Sequence, residues 1–585
     1  MLKQITFGTL ALALSGCQPS ESQSHEQATP EQSTHQFSGM VVTANPHATD
    51  AGVRILESGG SAVDAAISIQ AVLSLVEPQS SGLGGGGFML HYDSETRSID
   101  VYDGRETAPS GATPDMFIKS SNEQMSFIEA KTSGLSIGVP GVVSLLNLAH
   151  QDHGNLNWNE LFESAISLSE QGFEVSPRLA GFLNRFKQYI PSTPAEGPTE
   201  AYNYFYANDG SPKTFLQNHA YAESLRNIGN DPRWFYEGSI ASEIAAAANA
   251  TPRAGSLSIE DISGYSARKL EPLCTRYKAV TLCGPPPPSS WIAVGMTMGM
   301  LENAPRFLDK AERNRDWAIV GEALRLAYAD RDQYLADDEF VEIPLAGLLH
   351  PEFLKSRALE IDPERAGQKV THGDPWIFEK RTATTYGQDA TTDQAGTTHL
   401  AVVDADGNAV TMTASVESVF GSTRMAGGMI LNNQLTDFSR TALDNQGHPI
   451  ANAVEPLKRP RSSMSPTIVL DENHDFLMST GSPGGNSIIA YTLKTLVGVL
   501  DWGLSPQEAI ELPNMVARGD TVRIENSRAT TELIQSLKNY GFDVKESQGE
   551  ISGLSLILRN SDGSLEGGVD PRREGTIGVP TQKTD

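Results

Sequence analysis

Basic charge is in short supply in this 585-residue chain: 44 Lys and Arg stand against 72 Asp and Glu, a formal net charge of −28. That balance argues against a nucleic-acid partner, since phosphate binding needs a basic face. The acidic excess suits the solubility of an exported protein. Metal motifs are missing as well. The twelve histidines form no HExxH and no His/Cys cluster at ligand spacing, so the sequence makes no case for a metal or other cofactor. After the first residues no apolar run is long enough for a transmembrane helix, and no internal repeat is visible. Cysteine is scarce, three in all. Cys274 and Cys283, in "PLCTRYKAVTLCGPPPP", flank a run able to fold back as a hairpin. In an oxidising compartment they form a disulfide; otherwise they are two inert thiols.

What is present begins with an export signal. Lys3 precedes "ITFGTLALALSG", an apolar stretch too short to span a bilayer. It ends in Leu14-Ser15-Gly16-Cys17, which resembles a bacterial lipobox, and implies cleavage before Cys17 and lipidation of its thiol. Gln18 after the cysteine resembles the pattern of lipoproteins sent to the outer membrane, so the expectation is a periplasmic, lipid-anchored protein that meets the membrane only through that anchor. Residues 18–38 are polar and poor in apolar side chains. Such a segment cannot bury enough surface to fold, and reads as a tether. Residues 39–585 read as one globular unit in which helices and strands alternate, an α/β composition.

Along that unit, "ATDAGVRILESGGSAVDAAISIQAVLSLV" predicts two helices broken at Gly59-Gly60. "GFMLHYD" and "RSIDVYD" predict strands joined by a polar turn. Residues 140–345 read as mostly helical, with "DWAIVGEALRLAYADRDQYLAD" the clearest amphipathic segment. Residues 360–396 read as a surface loop. "TTHLAVVDADGNAVTMTAS" predicts a hairpin about Asp406-Gly407. Further strands are expected at "SPTIVLD", "HDFLMST" and "GLSLILR", and helices at 485–500 and 530–540.

Three motifs compete for the chemistry. Gly82 to Gly87 matches GxGxxG formally, but a dinucleotide fingerprint must open a helix and here a strand follows. Gly134-Leu135-Ser136-Ile137-Gly138 matches the GxSxG elbow, yet "FIEAKTS" is a poor strand before it and Pro140-Gly141 interrupts the exit. The third is Gly396-Thr397-Thr398 at the head of a strand. A threonine hydroxyl is a weak nucleophile and needs a base beside it. A chain that begins with Thr supplies one, since an α-amine with a pKa of about 7.7–8.0 can take the hydroxyl proton near neutral pH. An internal Thr397 reaches that state only if the preceding peptide bond is cut, and its own hydroxyl can make the cut by attacking the Gly396 carbonyl. Glycine at 396 is expected to permit a kinked backbone there without a Cβ clash.

The set "TTHLAVVDADGNAV", "ILNNQLTDFS", "KRPRSSMSPTIV" and "GSPGG", in that order, resembles the γ-glutamyltransferase (γ-glutamyltranspeptidase) family. Upstream, "MVVTANPHATDAGVRILESGGSAVDAA", "VEPQSSGLGGGGFML" and "GRETAP" extend the resemblance, as does "VDPRRE" downstream. It covers residue 39 to the C-terminal end. The resemblance implies an N-terminal-nucleophile hydrolase with a four-layer αββα sandwich, built jointly by a large subunit (39–396) and a small catalytic subunit (397–585) of one self-cleaved precursor. The two subunits would form a heterodimer.

The same resemblance implies roles. Thr397 is the processing group and the nucleophile toward glutathione and related γ-glutamyl amides, with water, amino acids or peptides as acceptors. Ser415 holds the Thr397 amine, and the backbone N–H groups of Gly484 and Gly485 form an oxyanion hole. Arg105, Ser462 and Ser463 hold the donor α-carboxylate, and Gln434 and Asp437 its ammonium. Glu417 replaces an asparagine of the best-known members; its carboxylate either pairs with the ammonium or marks a different acyl group. "FSRTALDNQGHPIANAVEPL" is shorter than the lid of lidded members, which implies an open pocket. Two alternatives stand beside the leading reading: a glutaryl-type acylase of the same fold, and an inactive surface-binding scaffold.

Overall fold

The computed structural model describes residues 39–121, 123–391, 396–548 and 551–581. The signal, Cys17 and the tether lie outside these residues. Residues 37–585 form one compact unit.

Two sheets carry it. The first has seven strands in the order Thr576–Gly578, Met40–Thr43, Gly396–Val403, Ala409–Glu417, Gly86–Asp93, Ser98–Asp103 and Arg268–Leu270. The second has six, in the order Leu565–Val569, Ser555–Arg559, Phe476–Gly481, Thr467–Leu470, Val280–Gly284 and Leu273–Tyr277. Period-2 alternation splits each strand between two cores. Ala401, Val403, Leu90 and Val101 meet Ile468, Leu470 and Ile557 between the sheets. Leu400, Val402, Met89 and Tyr102 face the other way, into a core with helices Pro46–Glu57, Ala62–Val76 and Val142–His153. The outer face of the second sheet packs on Trp291–Asn303, Arg313–Tyr334 and Ile488–Leu500. The result is helix, sheet, sheet, helix: the four-layer sandwich.

Local chemistry explains the elements that place the site. Helix Ala62–Val76 starts on a capping box, with Ser61 accepting from the Asp64 N–H and the Asp64 carboxylate accepting from the Ser61 N–H. The predicted hairpin turns through Gly407, at φ 85°. Asp404 closes that turn by accepting from Asp406 and Asn408 N–H groups, and its second oxygen accepts from Ala62 N–H. One carboxylate thus ties the hairpin tip to a helix start.

One expectation changes. Segment 316–337 is not amphipathic in place: helix Arg313–Tyr334 is buried continuously from Asp316 to Tyr334. Its charges are matched internally, Arg325 to Glu322, Asp330 to Arg357 and Asp332 to Arg518. Buried charge is tolerated only when paired in this way. The hairpin read from the two cysteines is present within the mostly helical 140–345: Leu273–Tyr277 pairs with Val280–Gly284, and Cys274 and Cys283 are direct cross-strand partners and are disulfide-bonded.

Candidate active site

Thr397 is the second residue of strand Gly396–Val403 and pairs with Ser415 across the hairpin; Ser415 in turn pairs with Gly86 on the next strand. Its hydroxyl is 3.0 Å from that of Ser415. Ser415 donates to the Gly396 carbonyl at 2.9 Å and accepts from the Glu417 N–H at 2.8 Å. With its single proton committed to Gly396, Ser415 must accept from the Thr397 hydroxyl. The threonine proton therefore points at a neighbouring oxygen, and the carbonyl that Thr397 would attack is already polarised. Thr397 is 2% exposed.

Gly396 avoids a Cβ clash, as read from the sequence, but without a left-handed backbone. A Cβ there would fall 2.3 Å from the Ser418 carbonyl carbon and 2.6 Å from the Glu417 oxygen. A bulge between Ser415 and Glu417, with Glu417 at φ 78°, brings that backbone close.

Arg105 is buried. Its Nη2 donates to Asp437 at 2.6 Å and to the Arg461 carbonyl at 2.7 Å, and its Nε donates to the Pro460 carbonyl at 3.0 Å. Gln434 Nε2 donates to the same Asp437 oxygen at 2.6 Å. The sequence reading gave Arg105 to the donor's α-carboxylate and Asp437 to its α-ammonium, two groups on one carbon; here the two side chains are ion-paired with each other. Among the described residues Arg105 Nη1 has only Glu106, at 3.7 Å, too far for a hydrogen bond. Gln434 Oε1 is a buried acceptor with no partner among the described residues. One unused guanidinium edge and one unused amide oxygen are what a carboxylate and an ammonium require.

Ser462 and Ser463 follow directly after Arg461. Ser462 Oγ accepts from Met464 N–H, and Ser463 Oγ accepts from buried Arg331 at 2.7 Å. Glu417 points at Ser418 and Asn433, which both donate to one of its oxygens. Gly484 and Gly485 sit at φ 141° and 55°, in the region that favours glycine, and a Cβ on Gly484 would strike Tyr491 at 2.6 Å. Neither glycine N–H has a partner among the described residues. Strand Phe476–Gly481 leads into them, and Gly481 packs on the ring of His399, which shares the strand face of Thr397. The two rejected motifs remain structural: Gly86-Gly87 enters a strand, and the Ser136 hydroxyl donates to the Lys131 and Ser133 carbonyls.

Known proteins carry the same pattern. A family model described as Gamma-glutamyltranspeptidase matches residues 48–579. This chain belongs to the γ-glutamyltranspeptidase family. The glutathione hydrolase proenzyme of Bacillus subtilis (strain 168) is 33% identical over 556 residues, covering 92% of this chain and 91% of the relative. That of Escherichia coli (strain K12) is 35% identical over 553 residues, covering 91% and 90%. Among solved structures, cephalosporin acylase from Bacillus halodurans superposes with a TM-score of 0.78 at 24% identity, covering 96% of this chain and 99% of that one. That likeness shows the shared sandwich.

Four side chains around this γ-glutamyltranspeptidase site carry no role in the sequence reading. Glu106 is fully buried against Gly86, and both its oxygens lack hydrogen bonds among the described residues; burial pushes its carboxyl up to about 8, against the pull of Arg105. Lys131 is pushed down to about 8 by burial, with the charge of Glu417 opposing, and donates to the Val419 carbonyl. Arg573 donates to the Thr397 carbonyl at 2.9 Å and to Glu77. Arg331 supports Ser463. Glu106 and Arg573 lie inside "GRETAP" and "VDPRRE", so the motifs held the signal; Lys131 and Arg331 had none.

Proposed function

We propose that this chain is the precursor of a γ-glutamyltransferase and glutathione hydrolase that cuts itself between Gly396 and Thr397. The observation that carries the reading is the Thr397–Ser415–Gly396 arrangement. Thr397 Oγ attacks the Gly396 carbonyl carbon while its proton passes toward Ser415, whose hydroxyl bonds to the carbonyl oxygen as charge develops there. Collapse breaks the C–N bond as that proton is passed on to the Thr397 nitrogen, which moves the Gly396 acyl group from nitrogen to oxygen and frees the Thr397 amine. Water then hydrolyses the ester and releases the two subunits' ends. In the mature enzyme that amine takes the Thr397 hydroxyl proton as Oγ attacks the γ-carbonyl of glutathione. The unpartnered N–H groups of Gly484 and Gly485 suit the oxyanion, and the amine returns the proton to the leaving nitrogen. Water or an amino acid then takes the γ-glutamyl group. The anchor belongs to the same proposal: a lipidated Cys17 holding the enzyme at the periplasmic face of the outer membrane.

Purified precursor of the parent sequence is expected to mature without protease into two chains, the smaller beginning at Thr397. Thr397→Ala is expected to remain one inactive chain, and Thr397→Ser to process and turn over more slowly. A small fragment beginning at any other residue on N-terminal sequencing overturns the mechanism. An uncut, inactive parent chain would leave the scaffold reading.

A further inference from the structure

Away from the nucleophile, the outer face of the first sheet brings together three residues distant in sequence. His91 on strand Gly86–Asp93 is directly opposite Asp100 on strand Ser98–Asp103. His153, the last residue of helix Val142–His153, closes over both. A ring nitrogen from each histidine and an oxygen of Asp100 all lie within 4.8 Å of one another. His153 Nε2 is 2.8 Å from Asp100 Oδ2, and its ring stacks on that of His91 with centroids 3.7 Å apart and planes 23° from parallel. His91 is buried, and its Nδ1 has no hydrogen-bond partner among the described residues.

We propose that His91, Asp100 and His153 form a binding site for a divalent transition-metal ion. Two imidazoles and one carboxylate are the donor set that suits Zn²⁺ and its neighbours, whereas Ca²⁺ and Mg²⁺ prefer oxygen throughout. Metal–nitrogen bonds of about 2.0–2.1 Å need the donors somewhat closer than they now stand. His153 and Asp100, with side chains 17% and 25% exposed, have the freedom to close and leave a solvent-facing position for water. The site lies at the helix C-terminus, where the backbone carbonyls favour a cation.

Lys269 competes for it, since its Nζ is 3.0 Å from Asp100. It is 44% exposed and has Asp152 at 2.9 Å as a second partner, so it can give way. His91 is opposite Val410 whereas Gly86 is opposite Ser415, which separates the site from Thr397 by about 17 Å along the strands. The ion would therefore fasten helix to sheet rather than take part in acyl transfer. No local spacing revealed the site, because strand pairing and helix packing assemble it.

The test is titration of chelator-stripped full-length protein with Co²⁺ and Zn²⁺. One equivalent of Co²⁺ is expected to give visible d–d absorption, and Zn²⁺ to raise Tm and displace it. His153→Asn and Asp100→Asn are each expected to weaken affinity at least tenfold and to abolish the Tm rise, while Lys269→Met strengthens binding. His91 is left intact because its burial makes a variant prone to misfold. Absence of stoichiometric binding by the parent overturns the proposal, as does affinity unchanged in both His153→Asn and Asp100→Asn.

Discussion

His399 shows how much one side chain can be constrained by where it is put. It sits two residues after Thr397, enclosed by Thr411, Thr413 and Gly481, and burial holds its imidazole down to about 3. The unfolded chain takes up a proton below about 6.5 that the folded chain refuses. Stability from this group is therefore complete above that pH and is lost as pH falls toward 3, at about 1.4 kcal/mol per pH unit. Thermal unfolding followed between pH 7 and 4 is expected to show a shallower acid decline in His399→Gln than in the parent, even if the variant is less stable at pH 7. Parallel curves would show that His399 is protonated in the fold.

In the proposed donor site, the short turn Gln434–Asp437 is the element that decides what is accepted. A γ-glutamyl donor presents an ammonium, for which Gln434 Oε1 and the Asp437 carboxylate are the proposed acceptors. A glutaryl donor lacks it. Because Arg105 already pairs with Asp437 at 2.6 Å, a glutaryl group would not strand a naked buried charge. What it forfeits is a hydrogen bond to a charged group, about 1.5–3 kcal/mol, or about tenfold to a hundredfold in kcat/KM. We expect γ-glutamyl amides to exceed matched glutaryl amides by that factor, and Asp437→Asn to narrow the gap. Equal or faster turnover of the glutaryl compound would make the protein an acylase. Glu417 belongs to the strand bulge, where Ser418 and Asn433 hold it, so Glu417→Gln is expected to change the gap less than Asp437→Asn.

On the scale of the whole molecule, the proposed cleavage separates two stretches of chain that share both sheets and the helical layer on the second sheet. Strands Gly396–Val403 and Ala409–Glu417 lie between Met40–Thr43 and Gly86–Asp93 in one sheet. The subunits of the proposed mature enzyme therefore stay joined by sheet hydrogen bonds and a common core. The anchor acts on this scale too. Among the described residues no helix is long and apolar enough to cross a membrane, so membrane attachment in our proposal rests on Cys17. Cys17→Ala is expected to move the protein from the membrane pellet to the soluble fraction; a variant that still pellets in high salt would overturn the anchor.

Local order in the chain determined a good deal by itself. The Gly59-Gly60 break, the Asp406-Gly407 turn and the alternation of "THLAVV" are short-range signals, and the helices and hairpin they predict are present. The ordered motifs placed Thr397, Ser415 and the paired glycines because each is held by its own strand or turn. Tertiary structure decided what depends on partners far away in sequence. It pairs Arg105 with Asp437, excludes a Cβ at 396 by the approach of Ser418, and buries the charged helix Arg313–Tyr334 among matching charges. It brings Arg573 to the Thr397 carbonyl, Glu106 against Gly86, and His91 to His153. Periodicity records which side of an element faces inward, but the identity of the atom it meets there is set by sheet order and layer packing.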